Sequence, residues 1–139
     1  MYEQFLYKHL DFYCSIYLLT NATYTIVNVN RIKKYEEALN AVEEALRLNP
    51  SSSTLWNNKG NTLYNLKRYE EALQAYEEAL CFDSSDAIMW NNKGGTLKAL
   101  GREKEAQKCY EKAHQLGYKG PSITQPQAQI SKSKANVST

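Results

Sequence analysis

The chain has 139 residues, of which 42% are hydrophobic and 23% charged, with a net charge of +2. That length allows one compact domain or a few stacked helical units but not a large enzyme core, and so small a net charge gives no steer toward nucleic acid. The longest apolar run near the start, YCSIYLL at 13–19, is too short to cross a membrane. With Glu3 and Asp11 in place of a basic leader, a cytoplasmic protein is expected.

Residues 1–32 hold seven of the sixteen aromatics, and Phe5, Phe12, Ile16 and Leu19 keep helical spacing. A helix over 2–19 is therefore expected, capping the helices that follow or forming an atypical first one. TYTIVNVN at 23–30 alternates β-branched residues, which suits an extended segment as well as a helix. From residue 33 the pattern becomes regular. KKYEEALNAVEEALRLNPS at 33–51 matches KRYEEALQAYEEALCFDSS at 67–85, and WNNKGNTLYNLKRYEEA at 56–72 matches WNNKGGTLKALGREKEA at 90–106.

The offset is 34 throughout. Trp56 recurs as Trp90, Gly60 as Gly94, Ala72 as Ala106, Tyr76 as Tyr110 and Ala79 as Ala113. Trp56, Gly60 and Leu63 fall at i, i+4 and i+7 on one helical face, and Leu73, Tyr76 and Leu80 do the same on the next. Glycine inside a helix costs about 1 kcal/mol relative to alanine, so Gly60 implies that a neighbouring helix comes close. The short link NLKRY at 65–69 makes successive helices antiparallel. Asn49-Pro50-Ser51 stops one helix, and Ser84-Ser85-Asp86 offers capping oxygens for another.

This pattern resembles the tetratricopeptide repeat, a 34-residue helix-turn-helix. Three stretches carry the resemblance: 33–52 as the second helix of a partial unit, 53–86 as one full unit, and 87–118 as another. Lys59 and Lys93 stand where the family has leucine, each with a stem that can lie on apolar surface while its ammonium reaches water. The resemblance implies an all-α, right-handed superhelical solenoid of antiparallel helix pairs, about two and a half repeats long. Residues 119–139 are polar and aperiodic and read as a disordered tail, with no capping helix visible after Ala113.

Chemistry is sparse. The glutamate pairs Glu36-Glu37, Glu43-Glu44, Glu70-Glu71 and Glu77-Glu78 lie on helix surfaces and read as solvated faces rather than acid-base sites. Neither His9 nor His114 has a ligand partner at metal spacing, and three scattered cysteines suggest reduced thiols. No phosphate loop or nucleophile elbow occurs. No catalytic residue, metal or cofactor is expected.

What remains is a partner surface. The resemblance implies that the first helix of each unit lines a concave groove for peptides or helices of other proteins. Asn57, Asn61, Tyr64 and Asn65, with Asn91 and Lys98, occupy that face, and Asn92 its edge. Amides offer both donors and acceptors to an extended backbone. Family members that grip chaperone carboxylate tails use several basic residues there; only Lys98 is present, which argues against that ligand. The expected function is a non-catalytic protein-interaction module, with no nucleic acid or membrane partner. The alternative is a self-associating unit joined through uncapped solenoid ends and steered by charge, since residues 33–86 carry six basic and ten acidic groups and residues 87–139 nine and three.

Overall fold

A computed structural model describes residues 2–120, and the side chains of residues 13–120. Beyond Lys119 and Gly120, the expected polar tail lies outside the described residues. Among those described there are five helices and no strand: α1 (Tyr2–Leu48), α2 (Ser53–Asn65), α3 (Tyr69–Phe82), α4 (Ala87–Ala99) and α5 (Glu103–Gln115). Helices α2 and α3 form one hairpin and α4 and α5 a second, while α3 packs on α4 and the end of α1 on α2. This is a helical solenoid.

The helix ends follow the sequence signals. Ser52 caps α2 by accepting from the Leu55 N–H at 3.3 Å, and Asp86 caps α4 by accepting from Ile88 and Met89 at 2.7 and 3.2 Å. Inside each hairpin the chain reverses through one residue with positive φ, Lys67 (61°) and then Gly101 (74°). The Arg68 and Arg102 N–H groups reach back to the carbonyls of Leu63 and Leu97, both at 2.9 Å, satisfying carbonyls left open at the helix ends. Glycine adopts this conformation without strain, whereas Lys67 adopts it at some cost.

Packing explains the repeated residues. A Cβ on Gly60 would sit 2.6 Å from the Tyr76 ring, and one on Gly94 would sit 2.6 Å from the Tyr110 ring. Each glycine is thus the seat of a tyrosine from the partner helix. Trp56 and Trp90 lie against the same cores and donate their indole N–H to the carbonyls of Pro50 and Ser84 at 2.8 and 2.9 Å, tying each hairpin to the loop before it. Leu63 and Leu97 are 1% and 2% exposed, and such burial is worth about 1.5–3 kcal/mol per side chain. Cys109 is buried where Ala75 stands one unit earlier, as its alignment leads one to expect.

Two features differ from expectation. The first concerns α1, which is one continuous helix of 47 residues, about 70 Å long. Segment 23–30 is helical, one of its two expected readings, but no turn separates it from 33–48. Among the described residues, α1 touches α2 and no other helix, so residues 13–32 do not fold back as a cap. Tyr17, Leu19, Tyr24 and Val27 are each at least 64% exposed. The physical reason is local. Nothing between 28 and 36 is glycine or proline, so the backbone hydrogen-bond ladder runs on.

The second difference lies at the other end. An uncapped solenoid end was expected after Ala113, but α5 buries Ala106, Cys109, Tyr110 and Ala113, and its outer face is Lys104, Gln107, Lys108, Glu111 and Lys112. Its charged outer face does the work of a cap. Most of the exposed large apolar side chains among the described residues are on α1.

Candidate partner groove between α2 and α4

Helices α2 and α4 lie side by side on one face of the solenoid, and their asparagines meet across the gap. The Asn92 side-chain amide donates to Asn57 Oδ1 and Asn61 Oδ1, both at 3.2 Å, and Asn61 Oδ1 also accepts from the Tyr76 hydroxyl at 2.7 Å. Asn92 was expected at the edge of the groove. It is instead central, because the stagger between successive units carries its side chain toward α2. Asn58, its counterpart one unit earlier, is exposed.

Around this network is an open depression of roughly 270 Å³, lined by Asn61, Tyr64, Asn65, Tyr76, Asn91, Asn92 and Gly95. The Asn91 side chain makes no hydrogen bond to another described residue. The Asn57 and Asn61 amide nitrogens and the Asn92 amide oxygen are likewise left over from the network. Asn65 is less available, since its side chain donates to the Asn61 carbonyl of its own helix at 2.8 Å. Tyr64 stands at the rim with its ring edge-on to Tyr69, centroids 5.2 Å apart. Lys98 is exposed and does not line the depression.

The two units are not equal here. Gly95 takes the place of Asn61 one unit on, so Tyr110 has no amide there to meet, and its hydroxyl is buried without a hydrogen-bond partner among the described residues. Gly95 is the nearest opening, for a Cβ there would lie 3.9 Å from that hydroxyl. Burial pushes the Tyr76 and Tyr110 phenols above the ordinary tyrosine range, so both stay protonated donors. The sequence held the signal for this asymmetry in WNNKGN against WNNKGG.

The lysines of the repeated pentapeptide do more than extend into water. Lys59 pairs with Glu43 at 2.9 Å and Lys93 with Glu77 at 3.0 Å, with the ammonium groups 5.5 and 5.8 Å from the Trp56 and Trp90 rings. Both glutamates had been read as merely solvated; each is one half of an ion pair to the following helix. The other repeated pairs, Arg68–Glu71 and Arg102–Glu105, are bidentate, and the arginine hydrogen bonds lower both glutamate pKa values. These carboxylates stay ionised, which does not suit a general acid at neutral pH. Burial pushes the Cys109 thiol up, away from a nucleophilic thiolate. Among the described residues no three histidine, cysteine or acidic side chains gather at a metal-binding distance, and no helix is long and apolar enough to cross a membrane.

Family models described as tetratricopeptide repeat match residues 31–88 and 87–116. Among solved structures, the first repeat domain of Spaghetti (RPAP3), bound to the HSP90 peptide SRMEEVD, is 24% identical with a TM-score of 0.64; the match covers 74% of this chain and 82% of that one. MamA AMB-1 is 24% identical with a TM-score of 0.58, over 62% of this chain and 51% of that one, so the chain spans about half the length of MamA. The Sgt2 repeat domain from Aspergillus fumigatus is 23% identical with a TM-score of 0.60, over 66% of this chain and 60% of that one. At these identities the likeness shows the fold. No curated protein matches the chain.

Proposed function

The chain belongs to the tetratricopeptide repeat family, and from that premise we propose that it is a non-catalytic protein-interaction module holding a peptide or helix of a partner in the groove between α2 and α4. The observation that carries this reading is the open depression whose walls keep unspent amide donors and acceptors at Asn61, Asn91 and Asn92, with Asn57 bonded to Asn92 behind them. A partner backbone presents the same two kinds of group, so its N–H and C=O are met without a charged anchor. The peptide complex of the RPAP3 domain supports the idea that this fold can hold such a segment. The acidic character of that peptide is not carried over, because Lys98 stands outside the depression and its walls are neutral. The groove suits an uncharged stretch of chain. Free cysteines, Cys14 and Cys81 exposed and Cys109 buried, fit a reducing compartment such as the cytoplasm.

The test is differential capture from native extract. Asn57 and Asn61 help hold α4, so replacing them would disturb the frame as well as the site. Asn91 and Tyr64 are the cleaner probes. An Asn91→Ala/Tyr64→Ala variant with unchanged helicity should lose proteins that the wild type retains; equal recovery of the same proteins would refute the groove.

A second reading, self-association, is favoured by the exposed apolar surface of α1.

A further inference from the structure

In each complete unit the first helix covers the small-residue face of the second. Gly60 receives Tyr76, and Gly94 receives Tyr110. Carrying the period back by 34, residues 19–32 hold the place of the first helix and 35–48 that of the second, with Ile26 on the glycine position and Val42 on the tyrosine position. The bulk has moved from one helix to the other: a small residue plus a large ring in the later units, two medium aliphatics here. Such an exchange keeps the volume at the contact and is the kind that cores tolerate best. Val29 and Ile32 likewise keep the apolar positions of Leu63 and Leu66.

The two faces are made for each other, yet α1 keeps them apart. Ile26 and Val42 are sixteen residues along one straight helix, about 24 Å. The face of 19–32 is uncovered, and that of 36–48 is covered only on the side where Leu39 and Val42, 7% and 9% exposed, cluster with Leu63 of α2. Ile26 is 59% exposed, and Ala38 and Ala41 are exposed although their counterparts Ala72 and Ala75 are 0% and 2% exposed. Closing α1 into a hairpin would require the reversal that Lys67 and Gly101 make with positive φ, and the equivalent Lys33 is helical.

We infer that a second copy of this chain covers α1, in a helix-swapped dimer. Two α1 helices lie antiparallel about a two-fold axis near Lys34, so that residues 19–32 of each copy pack on 36–48 of the other. The register that seats Tyr76 on Gly60 sets Ile26 on Val42 of the second copy and Arg31 beside Glu37 of the second copy, an opposite-charge pair. The swap exchanges an identical element between protomers and forms the hairpin contact twice without a turn. It deepens the self-association reading and leaves the groove between α2 and α4 untouched.

The test uses the full chain with the exposed Cys14 and Cys81 replaced by serine. Solution mass by light scattering should give a dimer. One chain carrying Ile26→Cys, co-refolded with another carrying Val42→Cys, should oxidise to a cross-linked species of two chains, while neither variant alone should cross-link, because like positions are far apart across the axis. Val42→Tyr should weaken the dimer and Ile26→Gly/Val42→Tyr should restore it, a rescue that mere misfolding does not give. A dimer without the mixed cross-link would overturn the swap and leave self-association standing. A monomer would overturn both, and equal protein recovery by the wild type and the Asn91→Ala/Tyr64→Ala variant, with an intact dimer, would count against the groove alone.

Discussion

The Tyr76 hydroxyl donates to Asn61 Oδ1 at 2.7 Å, joining the core of a helix hairpin to the floor of the groove. One unit later the bond is missing, because Gly95 replaces the asparagine and the Tyr110 hydroxyl is buried alone. The same conservative substitution should therefore behave differently at the two sites. Tyr76→Phe should cost about 1 kcal/mol, a typical net hydrogen bond, whereas Tyr110→Phe should be neutral or stabilising because it removes an unsatisfied group. Gly95→Asn should add stability by supplying the acceptor and a better helix former. Urea denaturation of the three variants checks the ordering.

The glycine seats make a second asymmetric prediction. Gly60→Ala gains about 1 kcal/mol of helix propensity but drives a methyl into the Tyr76 ring, and overpacking of this kind costs about 1–3 kcal/mol. Net destabilisation is expected by thermal unfolding, and likewise at Gly94. In a Tyr76→Val background the sign should reverse, since the ring is gone and only the propensity remains.

The Lys59–Glu43 and Lys93–Glu77 pairs join successive helices, with the lysines 23% and 19% exposed and the glutamates about half exposed. Double-mutant cycles should give each pair about 0.5–1 kcal/mol, at the upper end for partly screened pairs. The coupling should fall as salt is raised.

Acid should act on the Arg68–Glu71 and Arg102–Glu105 pairs. Both carboxyl pKa values are lowered in the folded state, first by the arginine hydrogen bond. Their contribution is therefore present above the ordinary glutamate pKa and fades as pH falls through the lowered folded value. Both pairs are exposed, so the effect is small. Stability of wild type and of Arg68→Ala/Arg102→Ala should differ at neutral pH and converge in acid, which chemical denaturation across pH would show.

The sequence made the units legible because each signature residue meets a partner at a fixed register. Gly60 needs Tyr76, Trp56 needs the Pro50 carbonyl, and Ser52 and Asp86 sit where helices must be capped. Relations between units were harder to read. The Lys59–Glu43 pair joins residues that no helical spacing brings together, and the central place of Asn92 depends on how α4 is staggered against α2. The missing turn in α1 was least legible. Lys67 adopts the left-handed conformation and Lys33, in the same register, does not, so residue type at the turn could not decide between a hairpin and one long helix.

The groove is tested most directly by photo-crosslinking in native extract from a photoreactive residue placed at position 91, compared with one at position 104 on the outer face of α5. Both positions bear side chains with no hydrogen bond to another described residue, so the fold should accept either replacement. A partner protein joined at 91 and absent at 104 is the predicted result. Equal labelling at both, or labelling at 104 alone, would contradict a binding groove between α2 and α4.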